Sequence, residues 1–292
     1  MKSAPGSGAG TLYIVATPIG NLDDLSPRAA SVLAGVAVIA AEDTRHSGRL
    51  LQHLGIQKPL LALHDHNERD RAGQVLDRLE AGEDVALVSD AGTPLISDPG
   101  YVLVHQARER GLRVSPVPGP CALIAGLCAA GLPTDRFLYA GFLPAKRGAR
   151  RAELELLAAE RATLVFYESP HRILETVAEI RDVMGAEREL VLGRELTKTF
   201  ETFYAGPAGA VCDTLEQDPN GARGEFVVMV AGAPQNEVPG DAGEVNTDQL
   251  LSLLLAELPV KKVARMVSEL TGRPKNELYQ RALALKPDER KT

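Results

Sequence analysis

The chain of 292 residues contains no tryptophan, only three cysteines and 4% aromatic residues. So few rings exclude an extended base-stacking platform of the single-strand-binding type. Cys121, Cys128 and Cys212 are too scattered for a disulfide framework or a metal knuckle, and they fit a reducing cytosol. Long hydrophobic runs are missing as well. The longest, Cys121 to Leu132, has 12 residues and is broken by Gly126 and Gly131, short of the roughly 20 that a spanning helix needs. The first ten residues, MKSAPGSGAG, have no apolar stretch and read as a disordered leader, neither signal peptide nor membrane anchor. Positive charge is not in excess: 32 Lys and Arg against 39 Asp and Glu leave −7, which argues against a simple basic wrapper for nucleic acid. Neither usual phosphate-binding glycine signature occurs. GSGAG at Gly6 to Gly10 imitates a dinucleotide fingerprint but precedes the first strand, and there is no Walker A sequence.

What is present is a globular composition, 45% apolar and 24% charged, in a chain long enough for about two domains. Short β-branched runs alternate with segments of helical period, the pattern of a parallel sheet covered by helices. Strands are expected at Leu12 to Ala16, Val36 to Ala41, Val85 to Ser89, Arg113 to Val117, Phe137 to Gly141, Thr163 to Tyr167, Leu190 to Gly193, Thr202 to Ala205 and Phe226 to Val230. Ser26-Pro27, Asp98-Pro99 and Ser169-Pro170 each place a capping oxygen before a proline suited to the first helical position, and Gly35, Gly111 and Gly185 stand where a glycine would close the helix.

Composition shifts twice. Val117-Pro118-Gly119-Pro120 stiffens the chain between two α/β halves, 11–118 and 119–232, and the polar, Pro/Gly-rich stretch 233–246 reads as a linker. Residues 247–292 are helical throughout, with Thr247, Pro259 and Arg273-Pro274 opening three short helices in the manner of a helix-turn-helix unit. This segment carries +3, which leaves −10 on the rest.

Chemistry in an open α/β sheet gathers in the loops beyond the carboxyl ends of the strands. The loop Ser89 to Gly100, with Asp90 and Thr93, is long and Gly/Pro-punctuated; it suits a polar small molecule or, alternatively, a helix-capping turn. Glu42-Asp43-Thr44-Arg45-His46 pairs carboxylates with cations, either for proton transfer or as an acidic helix start. His64-Asp65-His66 looks like part of a metal site but lacks further ligands at a recognisable spacing. Tyr167 to Arg172 and Arg194 to Lys198 are charged loops that could hold an anion or stand solvated. Lys146, Arg147, Arg150 and Arg151 crowd the start of a helix, where positive charge opposes the dipole; phosphate binding would explain that placement, as would a solvated basic turn.

In order, LYIVATPIGNL, AAEDTRHSGRLL, LHDHNE, LVSDAGTPLISDPGY, PGPCALIAGLCAAGLPTDRF, GFLPAK, FYESPHR and RELTKTFE closely resemble the bacterial small-subunit ribosomal RNA (cytidine-2'-O)-methyltransferases of the tetrapyrrole methylase superfamily. The resemblance covers Thr11 to Gly232, and the terminal helices resemble that family's helix-turn-helix-like module. One departure is Ala16, where the family pattern has proline; only loop stiffness is expected to change.

The resemblance implies a two-domain α/β fold, S-adenosylmethionine in the cleft between the domains, a homodimer, and a cytidine of 16S rRNA in the small ribosomal subunit as target. Carried over by motif, Pro18, Ile19, Gly20, Asp90, Ala91, Gly92, Thr93, Pro94, Gly119, Pro120, Cys121 and Ala122 form the first-domain wall of the cofactor site. Tyr167 and Leu196 form the second-domain wall. A ribose hydroxyl is a poor nucleophile, so Glu195 or Asp43 is expected to take or relay its proton while Lys198 and Arg45 hold the adjacent phosphate. Lys146, Arg147, Arg150, Arg151, Arg172, Lys261, Lys262 and Arg265 are expected to contact RNA phosphates. Two alternatives share the scaffold: a methylase of tetrapyrroles or another small substrate, and a non-catalytic ribosome-binding factor.

Overall fold

The computed structural model describes residues 8–234, 247–255 and 258–285. Two five-stranded sheets form the body. The first contains β1 (Thr11–Val15), β2 (Val38–Ala41), β3 (Leu60–Ala62), β4 (Val85–Val88) and β5 (Arg113–Val117), all parallel in the order β3-β2-β4-β1-β5. The helices α1 (Pro27–Gly35), α2 (Thr44–His53), α3 (Glu68–Glu80) and α4 (Tyr101–Glu109) make its crossovers. β2 and β4 are buried at every position because helices cover both faces.

The second sheet contains β6 (Phe137–Phe142), β7 (Thr163–Glu168), β8 (Glu189–Arg194), β9 (Thr202–Pro207) and β10 (Phe226–Val230), in the order β6-β7-β10-β8-β9. Here the all-parallel expectation fails. Only β6 and β7 run parallel; β10 is antiparallel to both neighbours, and β8 and β9 form a hairpin. The seven residues between β8 and β9 are too few for a helical crossover. Side chains alternate across this sheet. Leu164, Phe166, Val228 and Val230 face a core shared with α7 (Ile173–Met184) and α8 (Ala208–Gln217), while Val165, Val227 and Met229 face α5 (Ala122–Ala129). A fully buried leucine or phenylalanine contributes about 1.5–3 kcal/mol, so the alternation fixes the register.

Several local expectations change. Ser26 does cap α1, accepting from Ala29 N at 3.1 Å. Asp98 and Ser169 cap nothing: α4 starts after Gly100, whose φ of 130° and contact with Leu87 leave no room for a Cβ, and α7 starts after Arg172 without a side-chain cap. Gly111 and Gly185 take left-handed conformations, but Gly35 is the last residue of α1 with no positive φ. β3 escapes sequence reading because three residues carry no periodicity. The leader lies outside the described residues up to position 7, but Gly10 belongs to the packed body: its N–H donates to Leu79 O at 2.8 Å, and a Cβ there would strike the Glu83 carbonyl. Ala16 matters beyond stiffness, since its N–H donates to Val117 O at 3.4 Å, a bond that proline cannot make.

The terminal unit folds around its own core. Leu251 of α9 (Thr247–Leu255), Val263, Ala264 and Val267 of α10 (Val260–Thr271), and Leu278 and Ala282 of α11 (Lys275–Leu285) pack together. Pro259 precedes α10, and Gly272 ends it in the left-handed region. Lys261, Lys262 and Arg265 are exposed on α10, where Arg265 meets Glu269 at 3.7 Å. No helix among the described residues is long and apolar enough to cross a membrane.

The largest correction concerns α6 (Arg147–Leu157). Arg150 is fully buried, donating to Glu179 Oε2 at 2.6 Å and to Glu175 Oε2 at 2.9 Å. It cannot face RNA. The charge stands at a helix start because Glu179 on α7 needs a partner inside the core. Arg150→Ala should destabilise the protein by about 3–5 kcal/mol in denaturant melts, because it leaves the buried Glu179 carboxylate with only the largely exposed Arg147 as partner. Arg151→Ala, which breaks only the exposed pair with Glu155, should cost less than about 1 kcal/mol.

Candidate functional site

The site starts from two loops beyond the carboxyl ends of β1 and β4. Thr17 N donates to Gly92 O at 2.9 Å and Gly92 N returns to Thr17 O at 3.0 Å, a two-residue bridge outside the sheet. Gly92 adopts φ 81°, and a Cβ there would sit 3.3 Å from an Ile19 methyl. Thr93 Oγ1 donates to Pro120 O at 2.9 Å, tying the loop to the chain segment that crosses to the second sheet. Gly119 lets that segment approach β1: a Cβ would lie 3.0 Å from the Ala16 Cβ. The crossing ends at Cys121, the residue before α5.

The opposing wall comes from the second sheet. Tyr167, near the end of β7, accepts from Leu123 N at 3.0 Å, and its ring meets those of Tyr139 and Phe142 edge-on at 5.1 and 5.8 Å. Burial pushes the Tyr167 phenol upward, so it stays protonated. Between β8 and β9, Glu195 and Thr197 both hold positive φ. Lys198 folds back across this loop, its Nζ 2.8 Å from Glu195 Oε1 and 2.7 Å from Glu225 Oε2. Its alkyl stem crosses the first-sheet turn where Gly20 has no side chain to block it. Burial alone would raise the Glu195 carboxyl, but the Lys198 ammonium and the Glu225 N–H outweigh it and hold the group below its ordinary range.

Between these walls lies a cavity of about 350 Å³, in the range of small-molecule sites. Of the residues expected to hold a cofactor, Ile19, Ala91, Gly92, Thr93, Ala122, Tyr167 and Leu196 line it. Gly20, Pro94, Gly119, Pro120 and Cys121 stand outside the lining. Pro18 and Asp90 instead face a second cavity of about 230 Å³ beside α2. Sequence reasoning missed Ile96, Phe142 and Val227. Phe142 carried a signal in the GFLPAK motif, whereas Val227 reads as an ordinary strand residue.

Asp98, expected as a helix cap, lines the main cavity. Burial pushes its carboxyl up to about 6, with help from Glu42, Asp90 and Asp65, while the Ser89 hydroxyl works the other way. Glu42 is raised too, by burial and by Asp90. This edge of the site therefore concentrates negative charge.

The expected catalytic groups divide. Lys198 lines the cavity; Glu195 supports it from behind. Asp43 precedes α2 and caps it, accepting from Arg45 N at 2.8 Å, and its carboxylate pairs with the exposed Arg45 guanidinium at 2.9 Å, which holds it at about 2. Its backbone N–H donates to Asp90 Oδ1 at 3.0 Å. Among the expected RNA contacts, Arg172 is engaged internally, donating to Glu168 Oε1 at 2.8 Å and Leu143 O at 3.0 Å, with Glu168 fully buried beneath it. Arg147 pairs with Glu179 at 3.2 Å while remaining largely exposed. Lys146 is exposed.

Comparison with known proteins bears on the same residues. The family described as Tetrapyrrole (Corrin/Porphyrin) Methylases matches residues 11–212, and the RsmI C-terminal HTH domain matches residues 241–286. The chain is 59% identical over 277 residues to the ribosomal RNA small subunit methyltransferase I of Pseudomonas aeruginosa, covering 94% of this chain and 97% of the relative. It is 53% identical to the protein of that name from Haemophilus influenzae, again with 94% and 97% coverage. Among solved structures, the methyltransferase CobJ aligns with a TM-score of 0.57 at 20% identity, covering 77% of this chain and 95% of that one, which shows a shared fold.

The raised Asp98 carboxyl sets a direction for pH dependence. A group elevated by folding stabilises the protein fully below its unfolded value near 4 and loses that contribution as pH rises through about 6. Asp98→Asn should therefore be more stable than the parent at pH 7 by on the order of 1 kcal/mol and show no such advantage at pH 4, measured by thermal melts across that interval.

Proposed function

Because the chain belongs to the tetrapyrrole (corrin/porphyrin) methylase family, we propose that it methylates small-subunit ribosomal RNA, on the ribose 2'-hydroxyl of a cytidine in the decoding region. The observation that carries this reading is near-full-length similarity to ribosomal RNA small subunit methyltransferase I, terminal helices included. Methylases of this family use S-adenosylmethionine, which supplies a methyl group activated on a positively charged sulfur.

The main cavity fits that cofactor. Its apolar surfaces come from both sheets, Gly92 keeps a cradle open that a Cβ would narrow, and the Asp98 carboxylate on its lining, with Glu42 and Asp90 near enough to act on it, favours a cationic ligand. In-line transfer gains much of its rate from alignment in a water-poor cleft. The buried walls of Leu196, Val227 and Gly92 exclude water, and the Thr93–Pro120 bond keeps the crossing segment fixed. The Lys198 ammonium supplies positive charge for an approaching phosphate.

The geometry favours Glu195 as the residue that positions Lys198 over Glu195 as the base, since its Oε1 already accepts from Lys198 Nζ and Glu225 N. Arg45, 88% exposed, supports an outer phosphate contact, with Asp43 orienting it. Lys261, Lys262, Arg265, Lys146 and Arg147 remain available to RNA from exposed positions. Exposed Phe137 and Leu138 on the edge strand β6 support a homodimer, and the substrate belongs to the cytoplasm.

Nucleoside mass mapping of 16S rRNA tests the reading. Subunits from cells lacking the protein should gain one 2'-O-methylcytidine on incubation with it and S-adenosylmethionine, while a porphyrinoid remains unlabelled. Labelled porphyrinoid with unchanged rRNA would refute it. For Glu195→Gln, single-turnover transfer should fall less than about tenfold; a loss of 10²–10⁴ would mark Glu195 as a general base.

A further inference from the structure

We propose that the second cavity, beside α2, holds a phosphodiester of the RNA strand flanking the target nucleotide, with Arg49 and Ser47 as its principal contacts. This deepens the reading above and rests on it. His46, Arg49 and His53 project from one face of α2, at spacings of three and seven residues, and line the cavity with Ser47. They differ from the cations that the body ties up internally. Arg150, Arg172 and Lys198 are matched to carboxylates, while no hydrogen bond or ion pair engages the side chains of His46, Arg49 or His53 among the described residues.

Ser47 is a second and independent pointer. The residue is 4% exposed, and its Oγ is buried with no hydrogen-bond partner. A buried hydroxyl without a partner costs stability, so native interiors rarely keep one unless a ligand or water completes it. A phosphate oxygen accepts from a serine hydroxyl and from a guanidinium in the same contact.

The position fits the reaction. The loops after β1 and β4 present successive residues to the two cavities: Pro18 and Asp90 face the second, Ile19 and Ala91 the first. A strand that places its ribose hydroxyl at the main cavity carries a phosphodiester on the neighbouring ribose carbon, within reach of an adjoining pocket. Asp90 also lines this pocket, with Oδ1 engaged by the Asp43 N–H. Its negative charge opposes a phosphate here, so binding rests on Arg49 and on the strand's contacts at the main cavity.

The test uses the full-length protein, S-adenosylmethionine and small subunits from cells that lack the protein. Arg49→Glu should raise KM for subunits about tenfold or more with kcat within about threefold, and make the salt dependence of binding shallower by nearly one phosphate contact. Arg108→Glu, the same charge change on exposed α4, should leave both at parental values. Ser47→Ala should raise KM several-fold while leaving the melting temperature of the free protein unchanged or higher, because it removes a hydroxyl that is unpaired only without substrate. Unchanged KM and salt slope in Arg49→Glu overturn the proposal. A loss of S-adenosylmethionine affinity in calorimetry also overturns it, by assigning the pocket to the cofactor's carboxylate. Failure of the parent protein to methylate the subunits would instead refute the proposed function.

Discussion

The pair of backbone hydrogen bonds between Thr17 and Gly92 is the constraint on which the site depends. Parallel strands end without partners for the loops that leave them, so two loops beyond β1 and β4 would ordinarily move independently. Reciprocal bonds make them one wall. Everything built on that wall follows: Thr93 reaches the crossing segment, Pro120 accepts from it, and α5 begins against the second sheet at a fixed place. Because α5 packs on Val165, Val227 and Met229, the bridge also sets where the far wall stands.

Charge follows a second rule, that burial demands a partner. Arg150, Glu179, Arg172 and Glu168 look in sequence like polar loops and basic patches, yet they neutralise one another beneath the surface. Cations left without partners among the described residues include Arg49 on α2, Lys261 and Lys262 on α10, and Lys146 at the helix start of α6. Net acidity of the body is thus compatible with a small number of placed cations, which recruit a polyanion locally without a general attraction for it.

The strands of both sheets were legible from their β-branched runs, and the loops of the site from their glycine and proline punctuation. β3 was not, since Leu60-Leu61-Ala62 is too short to show a period. The antiparallel half of the second sheet was hidden because strand direction depends on what the connection can span, not on the strand's own residues. Asp98 and Ser169 obeyed the local grammar of helix caps while tertiary demands placed them on the cavity lining. Arg150 misled for a related reason: sequence displays charge without depth. Ser47 gave no signal at all, because an unpaired hydroxyl is a property of packing.

Among the described residues, the four non-glycine positions with positive φ are Leu95, Ser97, Glu195 and Thr197, and all belong to the two loops around the main cavity. Each left-handed residue of this kind costs on the order of 1 kcal/mol. The conformational strain of the body is therefore concentrated at its working end. Glycine or asparagine there would relieve that strain at the cost of the Leu95 core contact and the Glu195–Lys198 pair, and it would relax the very loops that shape the cavity. Selection for endurance and selection for turnover meet there in opposition, so a thermophilic relative would be expected to find its added stability in the helices and leave these loops alone.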